Sequence, residues 1–275
     1  MRSAARQDGI ATVERTLEGR TALVTGSTSG IGLAIALAFA RTGARVMLNG
    51  LGAPDAVAAA RREVSEAMGS EAPFSNADLS KPAAVRGMVE AARGALGSLD
   101  ILVNNAGIQF TAPVEEFPDE KWDAILAINL SANFHAIKAA LPGMRERGWG
   151  RIVNVASAHG LVASENKVAY VTAKHGVVGM TKVVALEVAR TPITCNAICP
   201  GFVRTPLAEA QVAPLAKAHG VSEEAALTDF LLAKQPSKRW VEVEDVAAMA
   251  LYLCGPHSGA VNGAALSVDG GWVAA

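Results

Sequence analysis

The chain has 275 residues, and its 25 Lys and Arg against 26 Asp and Glu leave a formal charge of −1. With 51% hydrophobic and 19% charged residues it can bury a sizeable core, which excludes a disordered chain. The near-zero charge offers no footprint for nucleic acid or an anionic membrane, and no run of about 18–20 apolar residues spans a bilayer.

Residues 1–16 lack the apolar centre of a secretory signal, and Asp8 and Glu14 weaken any likeness of Arg2, Arg6 and Arg15 to a transit peptide. They are expected to be a flexible extension ahead of one catalytic domain over 17–275. From there β-branched runs alternate with helical ones. A strand over 21–25 meets a glycine-rich turn and a helix over 31–43. RVMLN at 45–49 is a second strand, followed by a helix over 54–69 and a weak third strand over 72–76. A helix over 82–94 has Pro82 in its first turn and Ser80 as expected N-cap. ILVNN at 101–105 and RIVNVAS at 151–157 are the fourth and fifth strands, joined by a long helix over 119–147. A helix over 167–189, a sixth strand over 193–200, a helix over 243–254 and a last strand over 264–270 complete the order.

Strand and helix alternating this often predict an α/β fold: one doubly wound parallel sheet of Rossmann type, with helices on both faces. The strands are continuous apolar runs, as such burial requires. The segment 203–238, with Pro206, Pro214 and Pro236, breaks the rhythm and is expected to be a small, partly helical lid. Cys195, Cys199 and Cys254 are too few for a disulfide framework, so a reducing, cytoplasmic setting is expected. Cys195 and Cys199 share one face of a strand and are expected to be small buried apolar residues. No metal-binding spacing is present.

The first strand runs into TGSTSGIG, which places Gly26, Gly30 and Gly32 between a strand and a helix. Glycines there let the backbone approach a pyrophosphate, and the helix N-terminus supplies free N–H groups. The second strand ends Asn49-Gly50-Leu51-Gly52, with no acid for an adenosine 2′-hydroxyl and no arginine for a 2′-phosphate. The missing cation favours NAD over NADP. Asp78 is a candidate acceptor for the adenine amino group, with a helix-capping role as the alternative. Asn104-Asn105-Ala106-Gly107 closes the fourth strand at the edge facing the ligand crevice.

Tyr170 and Lys174 stand four apart, one helical turn. A phenol is a poor base at neutral pH, and a neighbouring ammonium favours its phenolate. Ser157 ends the fifth strand, where its hydroxyl can hold a substrate carbonyl. Lys167 lies on the same helix face as Tyr170 and Lys174, and His159 and Gln109 follow Ser157 and the NNAG turn. Gln and His donors around one lysine suit a carboxylate. Gln211 falls within the expected lid, and Trp272 is either an apolar wall of the site or an interface or core aromatic. His135, His175, His219 and His257 are expected to be packing or loop residues.

Through TGSTSGIG, DLS, NNAG, Asn129, Ser157, Tyr170-x-x-x-Lys174 and Pro200-Gly201, the chain resembles the short-chain dehydrogenases/reductases from Leu17 to its end. The resemblance implies Tyr170 as general acid/base and Lys174 as its tuner and ribose ligand. It implies Ser157 as orienter of the substrate oxygen and Asn129 as holder of a relay water. It assigns the dinucleotide to Gly26, Thr28, Ser29, Gly30, Ile31, Gly32, Leu51, Asp78, Leu79, Asn105, Ala106, Gly107, Lys174, Pro200, Gly201, Val203 and Thr205. The words NNAGIQ, SAHGLVAS, AYVTAKHGVVG, ICPGFVRTPL and SVDGGW further resemble the 3-hydroxybutyrate dehydrogenases. That likeness implies a small hydroxy acid bound by Gln109, Ser157, His159, Lys167, Tyr170, Gln211 and Trp272, NAD as cofactor, and a homotetramer. The alternatives are a 3-oxoacyl-thioester reductase, which would prefer NADPH, and a dinucleotide-binding sensor without turnover.

Overall fold

The computed structural model describes residues 15–275. Residues 1–14, most of the expected extension, lie outside the described residues. Seven strands form one parallel sheet. In chain order the strands and first helices are β1 (Thr21–Val24), α1 (Gly30–Arg41), β2 (Arg45–Asn49), α2 (Pro54–Met68), β3 (Phe74–Ser75), α3 (Pro82–Leu96) and β4 (Ile101–Asn104). There follow α4 (Asp119–Leu126), α5 (Ala132–Arg147), β5 (Gly150–Val155), α6 (Val168–Val188) and β6 (Ile193–Pro200). The last elements are α7 (Pro206–Glu209), α8 (Val212–His219), α9 (Glu223–Ala225), α10 (Val243–Cys254) and β7 (Ala265–Val268).

The strand order β3-β2-β1-β4-β5-β6-β7 reverses direction between β1 and β4, and a ligand crevice opens outside the carboxyl ends of the strands at such a switch point. Val24 registers with both Leu48 and Val103, so the turns after β1, β2 and β4 end at one level. One apolar layer packs α1 and α10 on the sheet through Ile35, Phe39, Val246 and Leu253. The other packs α3 and α5 through Val85, Met88, Val89, Ile137 and Met144. The apolar positions of α3 recur at helical spacing, so one stripe of the helix is buried. Cys195 and Cys199 are fully buried free thiols on β6.

Several expected boundaries move. The third strand shrinks to Phe74–Ser75, and the N-cap of α3 is Lys81 without a side-chain cap. Ser80 instead donates its backbone N–H to Asp78 Oδ1 at 2.9 Å, forming the turn ahead of the helix. The long helix divides into α4 and α5 around a π-turn at Ala127–Ser131. This stretch, 119–147, is long and apolar enough to cross a membrane by length and composition, but here Ala136, Ile137, Ala140 and Met144 are buried in the core. The insert between β6 and α10 holds α7, α8, α9 and a π-turn at Ala226–Leu231, the mixed character expected of 203–238. Val203 and Val241 bridge its base, and Gln235, fully buried, accepts the Phe202 N–H at 3.0 Å.

Candidate active site

The glycine turn after β1 is built for close approach. Gly26 has φ +62°, and a Cβ there would stand 2.8 Å from the Ala106 Cα. A Cβ on Gly32 would fall 2.2 Å from the Gly26 carbonyl oxygen, which closes the turn to any side chain. Two polar residues weld this turn to the loop after β4. Thr25 Oγ1 accepts the N–H groups of Asn105 (2.9 Å) and Ala106 (3.1 Å), and Asn105 Nδ2 donates to the carbonyls of Thr25 (2.9 Å) and Gly26 (3.0 Å). Ser27, buried beneath, bonds Val24 and Asn49 and so ties the turn to β2. Ser29 is the N-cap of α1 but its side chain makes no capping bond, so the first N–H groups of α1 are not satisfied by their own helix cap.

This cradle fits a dinucleotide: a glycine surface no Cβ can enter, facing an uncapped helix N-terminus. Thr205, at the start of the insert, packs on it: a Cβ on Gly30 would meet Thr205 Cγ2 at 3.3 Å. Pro200, Gly201 and Val203 lead from β6 to that threonine. A Cβ on Gly201 would stand 2.5 Å from Gln235 Oε1. Leu51 is 67% exposed beyond β2. It lines a hollow with Val57, Arg61, Phe74 and Asn76, in which Arg61 is the one cation, ion-paired to Glu71 at 2.9 Å. Asp78 is exposed, with its carboxyl held below the usual range by the Ser80 hydrogen bonds, and half-buried Leu79 packs on the core. One Asp78 oxygen is therefore engaged in the turn ahead of α3, and it does not cap the helix, whose N-cap is Lys81.

On the other side of the crevice Ser157, Tyr170 and Lys174 converge. The Ser157 hydroxyl hydrogen-bonds the Tyr170 phenol, and burial pushes that phenol above its ordinary pKa more strongly than the bond lowers it. The depression of Tyr170 expected from Lys174 does not occur: burial raises the phenol, and the Ser157 bond, not the ammonium, opposes it. Lys174 is itself pushed down to about 8 by burial. Its Nζ lies 5.5 Å from the Tyr170 ring centre and donates to the Val155 carbonyl at 2.8 Å, which leaves two further N–H donors. Asn129, fully buried in the π-turn, clasps the Ile108 peptide: Oδ1 accepts the N–H at 2.8 Å and Nδ2 donates to the C=O at 2.9 Å. π-turns of this kind are frequent at functional sites. The clasp fixes the loop carrying Gly107 and exposed Gln109.

His159, Trp272 and Phe202 form an aromatic wall beside Tyr170. The His159 ring meets Trp272 edge to face at 4.9 Å and Tyr170 at 5.9 Å, and Phe202 stacks on Trp272 at 5.4 Å. Burial, then the charges of Lys167 and Lys234, pushes His159 down to about 4, so it is neutral at neutral pH. Lys167 sits not within α6 but at its N-cap, with Nζ 5.7 Å from the Phe202 ring centre. A half-buried cation at the positive end of a helix is electrostatically disfavoured, and burial and Lys234 lower its pKa. Gln211 is the exposed N-cap of α8 within the insert. His135 and His175 lie on helices, and His219 stacks on Phe230 inside the insert at 4.0 Å.

Sequence reasoning does not single out Phe202, Ser164, Lys234, Gln235 or Asp269. Asp269 is buried and accepts the Gly271 and Val273 N–H groups at 3.0 Å each, which sets the turn holding Trp272. Nor does it single out the ladder beneath the site, where Asn104 Nδ2 donates to Asn154 Oδ1 at 2.8 Å and Asn154 Nδ2 to Thr181 Oγ1 at 2.9 Å. An asparagine in an apolar strand carries a signal, since a buried amide needs partners. The partners come from other elements and have no local signature.

A glycine cradle at the switch point, facing a tyrosine and lysine one turn apart, defines an oxidoreductase that uses a nucleotide cofactor. The family model described as "Enoyl-(Acyl carrier protein) reductase" matches residues 26–273. A D-beta-hydroxybutyrate dehydrogenase of Cupriavidus necator is 52% identical over 259 residues, 94% of this chain and 99% of that protein. One of Rhizobium meliloti is 50% identical over 255 residues, 93% and 99% of the two chains. Among solved structures, an actinorhodin polyketide ketoreductase with NADPH superposes with TM-score 0.85 at 40% identity, covering 92% of this chain and 97% of its own. The chain belongs to the short-chain dehydrogenase/reductase family.

Proposed function

We propose that this chain is an NAD-dependent dehydrogenase that interconverts (R)-3-hydroxybutyrate and acetoacetate. The observation that carries the reading is the set Lys167, His159 and Trp272 gathered beside Tyr170: a cation and a neutral imidazole for a carboxylate, against an apolar wall. The two D-beta-hydroxybutyrate dehydrogenases support it.

On this reading Ser157 and Tyr170 receive the C3 hydroxyl, and Tyr170 takes its proton. A bound nicotinamide supplies the acceptor for the C3 hydride. Lys174 favours the phenolate and, with its two remaining donors, holds the ribose. Asn129 anchors the loop presenting Gln109 and, on this reading, holds the relay water that joins Lys174 to solvent. Lys167, His159, Gln109 and Gln211 hold the carboxylate, with the insert 203–238 closing as a lid. The cradle residues, with Ile31, Thr28 and Ser29 at the phosphates and Leu51 and Asp78 at the adenosine, hold the dinucleotide. NAD rather than NADP rests on the uncharged end of β2 and on Arg61 being engaged by Glu71.

The alternative, an NADPH-dependent 3-oxoacyl-thioester reductase, is favoured by the NADPH-bound ketoreductase neighbour. A homotetramer fits Phe134, Val183 and Leu186, exposed at 49%, 55% and 78% on α5 and α6, and the buried free thiols suit the cytoplasm. One panel tests the reading: NAD and NADP with (R)- and (S)-3-hydroxybutyrate, and NADH and NADPH with acetoacetyl thioesters. Turnover of the (R)-acid with NAD is expected. Reaction of thioesters alone overturns it.

A further inference from the structure

Ser164, on the loop between β5 and α6, joins two parts of the site that the sequence keeps 75 residues apart. Its Oγ lies 2.8 Å from His159 Nε2 and 3.0 Å from Lys234 Nζ, at the far end of the insert. An ammonium only donates, so Ser164 accepts from Lys234 and keeps its own O–H free for Nε2. A proton donated to Nε2 places the imidazole hydrogen on Nδ1, the tautomer that can donate to a carboxylate. Lys234 also presses electrostatically on Lys167, second only to burial. Among the described residues neither lysine has a carboxylate within 4.0 Å. Two neighbouring cations without a counter-ion are unfavourable unless an anion joins them.

We propose that Lys234 is a positioning residue of the substrate site: through Ser164 it sets His159 as an Nδ1–H donor, so that the binding of an anionic substrate depends on the insert being closed. This rests on the hydroxy-acid reading above. The lysine is exposed and screened, so its effect is modest.

The test compares K234Q, S164A, the double variant and K234R with (R)-3-hydroxybutyrate and with its neutral methyl ester. K234Q is expected to raise KM for the acid about fivefold while KM for the ester moves less than twofold. S164A is expected to do the same, the double variant to be no worse than S164A, and K234R to restore most of the loss. Wild-type turnover with an unchanged acid KM in K234Q overturns the proposal alone. Equal losses for acid and ester, or additive losses in the double variant, also overturn it, because the lysine then acts on folding or independently of Ser164. A wild type inactive on the acid overturns the substrate reading and this proposal together.

Discussion

His159 and Trp272 meet edge to face with ring centres 4.9 Å apart, and each is less than a tenth exposed. The contact joins the loop after β5 to the C-terminal turn, and it keeps the imidazole dry. Truncating the indole should wet the histidine and remove a wall of the pocket. W272A is expected to raise KM for the hydroxy acid at least tenfold and to lower stability by about 3 kcal/mol, in the range of buried aromatic truncations. W272F, which keeps a ring against His159, should recover most of both. Steady-state kinetics and urea unfolding of the two variants check this.

The dryness of His159 also sets a pH dependence. In the folded protein it resists protonation down to about pH 4, whereas the unfolded chain binds that proton below about 6.5. Between these values the unfolded state holds more protons, so stability rises with pH across that window. The contribution is flat above 6.5 and is lost progressively towards 4, by up to about 3 kcal/mol. H159Q should lose less stability than wild type between pH 7 and pH 4.5 in paired urea titrations. Parallel curves would show that the proton is not excluded.

Tyr170 is the one phenol in the crevice, hydrogen-bonded by Ser157 and 5.5 Å from the Lys174 ammonium by its ring centre. Y170F keeps the ring and removes only the proton carrier. Turnover is expected to fall by about 10²–10⁴-fold, the usual worth of a positioned acid/base. Dinucleotide affinity, read by nucleotide fluorescence, should change less than twofold.

The βα rhythm, the glycine cradle and the Tyr170–Lys174 pair are legible in the sequence because each has a local signature: a period, a spacing or a special backbone need. Boundaries are less so. Lys167 reads as helical by spacing but is the N-cap of α6, with non-helical backbone angles that side-chain spacing does not record. The third strand is cut short where only Leu48 and Asn49 of β2 offer it partners. Lys234 and Ser164 are invisible because their meeting depends on how the insert folds back, which no window of sequence records. The direction of the Tyr170 pKa shift escapes the sequence for a related reason, since burial is a property of the assembled site.

The glycines divide into two kinds, and substitution should separate them. Gly32 sits where a Cβ would overlap the Gly26 carbonyl at 2.2 Å, so G32A must open the dinucleotide turn. A loss of dinucleotide affinity of at least tenfold is expected. Gly87 is helical in α3 and exposed, and an added methyl there would have nothing within 4 Å. At that position alanine only removes backbone freedom from the unfolded chain, and G87A should stabilise by about 0.5–1 kcal/mol. Thermal melts and dinucleotide titrations of both variants distinguish the two.

Lys174 gives the sharpest conflict between stability and function. Burial lowers it from 10.5 to about 8, so folding at pH 7 carries a charged lysine into a place that resists charge. Between pH 8 and 10.5 the unfolded chain holds more protons, so the penalty shrinks as pH rises and is gone above 10.5. At pH 7 it is on the order of 3 kcal/mol. K174M keeps the length of the side chain and removes the charge. It also strands the Val155 carbonyl, which the ammonium now satisfies at 2.8 Å, at a cost of about 1–3 kcal/mol. The net expectation is a gain of about 1 kcal/mol in stability without dinucleotide, beside a loss of turnover of at least 10²-fold. Melts at pH 7 and pH 10 decide it: the advantage of K174M should be largest at pH 7 and shrink at pH 10. A variant less stable than wild type at pH 7 would mean that the Val155 bond outweighs the buried charge.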